Sequence, residues 1–384
     1  EYYHHADWTQ AEIFDGDWFG AASPANDAHV ISEGRWAFTP VARMASNYTR
    51  VHNPYGLLRS PWNTNPTPYL TRYRFVAGQK DAGYNLPSCE KFKHSYNTMW
   101  VGLLNTYLNG FLHGEIHIML GGHWGFDPNI TSQAGGMGNG SQSLLLSSKA
   151  LWRQGFLRCP EYCSSDTPSS DCACSCPEKL RELAFGEQVD ALELMERTGL
   201  LTWNADFVDG WKAAVPSHTW DSVLDAICHV GHAGEMFTSA APYDPMFWPL
   251  HGVADRFLQL KRLQYYEQET YLEETWGYDH ALVNVASDTH LVCDWSRVDQ
   301  GVATMPACEK GTCSGHRADD LLPWGDFLDE GETYTNYGFY EFMSPENDDF
   351  PYVYDSLTEW PGCEAQGIYF GQSGSDDGSS VVTS

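Results

Sequence analysis

Phe111–His123 reads FLHGEIHIMLGGH, and Asp244–Arg256 reads DPMFWPLHGVADR. The first stretch sets His113 and His117 four residues apart, a spacing that stacks two imidazoles on one helix face, one turn apart. The second offers a third imidazole, His251, just after Asp244-Pro245, a helix-start signal. Three neutral imidazoles suit copper or zinc and leave a coordination position open for oxygen chemistry. A lone HxxxH pair arises by chance and more often marks ordinary core or surface histidines. The specificity lies in the pair taken with the second stretch.

Working outward, 88–120 reads as helical. Ser88 can cap, and Phe92, Tyr96, Met99, Trp100, Leu103, Leu104, Tyr107, Leu108 and Phe111 recur at helical spacing as a core stripe. Residues 244–276 read as a second helix with Leu250, Val253, Phe257, Leu260 and Leu263 on its apolar side. Residues 1–87 are rich in Trp, Tyr, Asn, Pro and Gly and predict short strands, turns and packed loops. Two helical patterns, 142–156 and 177–200, flank a run of five cysteines from Cys159 to Cys176. The tail 371–384, GQSGSDDGSSVVTS, has the composition of a flexible acidic end.

Eleven cysteines exceed what a cytosolic enzyme ordinarily carries. The Cys159–Cys176 spacing fits no zinc pattern and fits a small disulfide knot. Cys308 and Cys313 can pair locally, or with Cys293 or Cys363, and the odd total leaves one thiol over. The triplets beginning at Asn47, Asn129 and Asn139 are glycosylation sequons. Together these predict a secreted, extracellular chain. It begins at Glu1 without a visible signal peptide, as a trimmed chain does. The formal charge of −29 argues against nucleic acid or an anionic membrane as partner. No apolar run approaches the ~20 residues that span a bilayer. The charge favours cationic surroundings or basic partners, other extracellular protein chains among them; a phenolic small molecule is implied only by a family resemblance that the two quoted stretches carry.

The two quoted stretches together resemble the copper B half of the type 3 copper proteins, the tyrosinases, catechol oxidases and haemocyanins. That family carries HNxxH, a glycine pair, and then DPxFWxHHxxxDR. Here Gly121-Gly122 follow His117, and Asp244, Pro245, Phe247, Trp248, His251, Asp255 and Arg256 fall in register. Leu250 replaces the first histidine of the usual pair, which the resemblance does not make a ligand. Gly114 stands where many tyrosinases have Asn, which puts phenol hydroxylation in doubt but not diphenol oxidation. Segments 13–41, 53–73, 308–328 and 334–363 are similar to microbial members of the family.

The resemblance implies a mainly α fold, a tyrosinase-like helical-bundle core with extensive loops, short strands and a disulfide-rich insertion. It implies one such domain over 1–370, with 124–223 inserted and 371–384 as tail. It implies one copper ion on His113, His117 and His251, with Phe247 as a bulky gate and Asp255 and Arg256 as a helix-stabilising pair. A second registration would use His229 as a ligand; its cost is Asp225 where a histidine belongs, and in the preferred registration His229 orients a ligand from behind. The family's copper A context is missing around His4, His5, His29, His52 and His94, which read as surface or structural histidines. Copper A is then expected before Glu1, on another chain, or lost. No residue is assigned a catalytic role beyond the metal. The implied activity is oxidation of o-diphenols to quinones by dioxygen when a second copper site is supplied. The alternative is a non-catalytic secreted structural or interaction glycoprotein.

Overall fold

The structure is a computed structural model of the chain. It describes 7–49, 51–125, 145, 148–149, 151–152, 157–176, 228–268, 272–276, 318–322, 328–329 and 331–370. The flexible-tail expectation for 371–384, the sequons at Asn129 and Asn139, and the 177–200 helix lie outside those residues, as do Cys293, Cys308 and Cys313.

The elements are β1 (Phe75–Val76), β2 (Gln79–Lys80), α1 (Cys89–Tyr96), α2 (Val101–Tyr107), α3 (Gly114–Gly121), β3 (His123–Trp124), β4 (His232–Ala233), α4 (Phe247–Gln268), α5 (Asn336–Phe342) and α6 (Pro361–Glu364). Helix makes up 35% of the described chain and strand 8%, so the mainly α bundle expected from the resemblance is not what forms. Loops dominate, around one small mixed sheet. Its order is β2-β1-β3-β4, with β1–β3 parallel and both outer pairings antiparallel.

Two physical reasons account for the difference. First, 88–120 is not one helix. Ser88 caps α1 as expected, its Oγ accepting from Lys91 N at 3.2 Å. The helix then stops at Tyr96, and Met99 and Trp100, expected in the core, are 43% and 45% exposed. A wide π-type turn over Leu108–Leu112 separates α2 from α3. Second, the N-terminal third is organised by buried polar groups instead of helices. Asn53, Asn63 and Asn65 are all buried; Asn53 and Asn63 donate to backbone carbonyls, and Asn65 donates to Thr71 Oγ1 and accepts from Thr67 N. Arg59 and Arg72, both fully buried, each hold a carboxylate from far along the chain.

Two apolar clusters stand out among the described residues. One gathers Trp8, Phe14, Ile116, Met119, Leu120, Met236, Met246 and Leu250; the other gathers Phe92, Tyr96, Leu104, Leu112, Phe257, Leu260 and Phe370. Helix α4 serves both, through Leu250 on one side and Phe257 and Leu260 on the other. Among the described residues four disulfides form: Cys89–Cys363, Cys159–Cys174, Cys163–Cys172 and Cys176–Cys228. Four of the five clustered cysteines therefore pair among themselves, while Cys176 reaches out to Cys228. Cys363, offered as a partner for Cys308 or Cys313, is taken by Cys89. Such bonds fit an oxidising compartment. No helix among the described residues is long and apolar enough to cross a membrane.

Candidate metal centre

His113, His117 and His251 meet. Their Nε2 atoms lie 2.8 Å (His113–His117), 2.9 Å (His113–His251) and 3.2 Å (His117–His251) apart. All three are partly buried. Among the described residues no other trio of His, Cys, Asp or Glu side chains gathers in this way.

Each imidazole arrives by a different local device. His113 sits outside α3, at φ −142° and ψ −46°, as the residue that ends the wide turn and precedes the helix. Single π-type turns inside helical runs frequently coincide with functional sites. The turn folds so tightly that a Cβ on Gly114 would stand 2.0 Å from the Asn109 carbonyl oxygen. Glycine after the first imidazole is thus a steric requirement of this backbone, and a longer residue there would displace His113. His117 lies one turn into α3, and its Nδ1 hydrogen-bonds the Met236 carbonyl at 2.8 Å. That carbonyl comes close because Gly121 lets the 235–237 turn press on α3; a Cβ there would be 2.1 Å from Phe237 N. His251 lies in the second turn of α4. Phe247, one turn before it, stacks on its ring with centroids 3.7 Å apart and planes 25° apart, and meets the His117 ring edge-on at 5.9 Å.

Two buried ion pairs, which the sequence reading did not single out, hold these devices in place. Asp244 accepts from Arg72 Nε at 2.7 Å and Nη2 at 2.6 Å, and also from Met246 N at 2.8 Å. It therefore caps the approach to α4 and fixes where His251 begins its turn. Glu235, beside Met236, accepts from Arg59 and from Thr71 N and Oγ1. The signal was in the Arg59 and Arg72 positions of a Pro/Asn-rich loop, where an isolated cation is easily taken for surface. Asp255 and Arg256 do not pair with each other on a solvated face. Asp255 accepts the Tyr352 and Tyr354 hydroxyls, and Arg256 donates to the carbonyls of Ser356 and Glu359.

The donor set fits a cation. Burial, and next the neighbouring imidazoles, push His113 and His251 down to about 4; burial also lowers His117. The rings are thus neutral near pH 7. A carbonyl only accepts, so His117 carries its proton on Nδ1, facing Met236, and turns a bare lone pair on Nε2 to the centre. The Leu108 carbonyl favours the same arrangement for His113. Two lone pairs then face each other at 2.8 Å. His251 can offer a proton to one of them but not both. A metal ion among the three nitrogens resolves the conflict, and the carbonyl behind His117 is the usual orienting partner of a ligating histidine.

The remaining expected residues fall elsewhere. His229 is exposed beside Cys228 and outside the trio. Leu250 is buried in the core. Glu115 points to Lys91, at 3.5 Å. His29 stacks on Tyr73 at 4.1 Å, the His52 ring contacts the Asn53 carbonyl, and His94 packs near Tyr107. His4 and His5 lie outside the described residues. Two further histidines have no place in the sequence argument: His123 is fully buried against the Val230 carbonyl, and His232 beside it is held low, to about 4, by burial. Asn47 is exposed on a short turn. With this geometry in view, neither a protein family, nor a curated protein, nor a solved structure matches the chain.

Proposed function

We propose that His113, His117 and His251 bind one copper ion, and that the chain is the copper B half of a type 3-like centre for oxidising o-diphenols. The observation that carries the reading is the convergence of three Nε2 lone pairs within 3.2 Å, from residues up to 138 apart in sequence. The resemblance of both quoted stretches to the copper B motif supports copper over zinc. Bound copper supplies one-electron redox chemistry with dioxygen. The chain's own residues do the rest. Met236 and Leu108 carbonyls set ring orientation, and Phe247 shields the His251 face from water. Dinuclear chemistry calls for three further imidazoles, which the described residues do not gather.

That last point favours a second reading: a secreted, non-catalytic glycoprotein whose metal is structural. The four disulfides and the exposed Asn47 sequon support the secretory route in either case.

Copper titration with metal analysis, followed by catechol oxidation, separates the two. One copper per chain, lost in His117→Ala, is expected under both. A second copper per particle together with turnover of catechol supports the oxidase; one copper per chain without turnover supports the structural reading. A chain that takes up no copper, or a His117→Ala variant that keeps it, overturns the site.

A further inference from the structure

Next to the trio lies a cavity of about 570 Å³, between α1, the wide turn, α4 and α6. Its lining is apolar, with Phe92, Leu112, Ile116, Leu250 and Trp360 among the walls and the Cys89–Cys363 bond at one side. Two polar side chains reach it, His113 and Arg256.

Arg256 is a partly buried cation in a chain of 51 acidic and 22 basic residues. Arg59, Arg72, Arg74 and Arg262 each have a carboxylate within 4 Å. Arg256 has none among the described residues. Its plane lies on Trp360, 4.4 Å from the ring centroid. Nε donates to the Ser356 carbonyl and Nη2 to that of Glu359, while Nη1 has no acceptor among the described residues. Asp255, its sequence neighbour, is engaged by two tyrosine hydroxyls, and Glu359 acts on Arg256 only from a distance. Burial pushes this guanidinium below its ordinary value, the mark of a cation that its surroundings undercompensate. A planar fork with a free arm matches a carboxylate. The volume is in the range that small ligands fill, roughly 300–1,000 Å³.

We propose that this cavity binds a small amphipathic carboxylate, its anionic head on Arg256 Nη1 and its hydrocarbon among Phe92, Leu112, Ile116 and Leu250. Charge complementarity selects the head group, and the dry walls select the tail. The binding is independent of metal, so it stands or falls apart from the copper reading.

The test is calorimetric titration of the full chain with decanoate and with decan-1-ol, in excess chelator at neutral pH. Decanoate should bind one per chain, and the alcohol at least tenfold more weakly. Arg256→Gln should remove that preference. Ala254→Trp, which fills the cavity from α4 without touching the hydrogen bonds of Arg256, should abolish binding of both. Equal affinity for acid and alcohol, no saturation by decanoate below about 1 mM, or binding that survives Ala254→Trp in a folded variant each overturn the assignment. The comparison of acid with alcohol uses the unaltered chain, so it decides the matter even if a variant does not fold.

Discussion

Replacing Asp244 with Ala strips a fully buried guanidinium of its counter-charge. Arg72 would keep only the carbonyls of Gly20 and Ala21 as acceptors, 2.8 and 3.2 Å from Nη1. Breaking a buried pair from one side costs about 3–5 kcal/mol. Losing the side-chain cap on Met246 N adds about 1 kcal/mol. The two losses share one carboxylate and overlap, so about 4 kcal/mol is expected from denaturant midpoints at constant slope. The start of α4 should also drift, taking His251 with it. Copper affinity should fall about 10- to 100-fold, the range for losing a group that orients ligands. The companion variant Arg72→Met with Asp244→Leu removes both charges and should recover much of the stability. A loss under about 1 kcal/mol for Asp244→Ala, or a double variant no better than the single one, would refute the claim that this pair anchors the centre.

Stability should also depend on pH. His123 and His232 are held at about 3 and about 4 by burial, below the ordinary 6.5. The unfolded chain therefore binds more protons than the folded one from about 6.5 down to about 4 for His232 and about 3 for His123. Stability is full above that window and falls as pH drops through it, by up to about 1.4 kcal/mol per pH unit for each histidine. Chemical denaturation at pH 7, 6 and 5 checks this, and His232→Phe should lower the slope by one histidine's share. Gly114→Ala should cost at least about 2 kcal/mol and weaken copper binding, because its Cβ meets the Asn109 carbonyl; unchanged affinity would contradict the steric account. Cys89→Ser with Cys363→Ser opens a loop of 274 residues and should cost about 3–5 kcal/mol by urea unfolding. Asn47→Gln, made in a secretory host, should lower the mass by one glycan.

Much of the centre was legible because its information is local. His113 and His117 stood out by spacing, His251 by its place in the motif that resembles copper B, and Asp244-Pro245 marked the helix start that the structure shows. The fold was less legible. The period-3.6 stripe continues through Asn97–Trp100 and Leu108–Leu112, yet the chain breaks at both places, so pattern alone could not see that Met99 and Trp100 turn outward. The clue to the second break was Gly110 followed by Gly114, two glycines within one turn of a nominal helix. Arg59 and Arg72 were overlooked for a different reason. Their partners lie 176 and 172 residues away, and nothing in a Pro/Asn-rich loop says which distant acid it will meet.

The antiparallel pairing of β3 with β4 has a consequence for how this chain can change. Trp124 faces His232, so residues 125–231 depart from and rejoin the body at neighbouring points. That neck is locked by Asn63 to the backbone of Ala233 on both N–H and C=O, and the disulfide knot within the excursion touches back on the carbonyls of Pro54 and Trp62. Closing a longer excursion costs only about 0.6 kcal/mol per doubling of length. Length can thus be added or removed between these points of attachment at small cost, while the three imidazoles keep their positions.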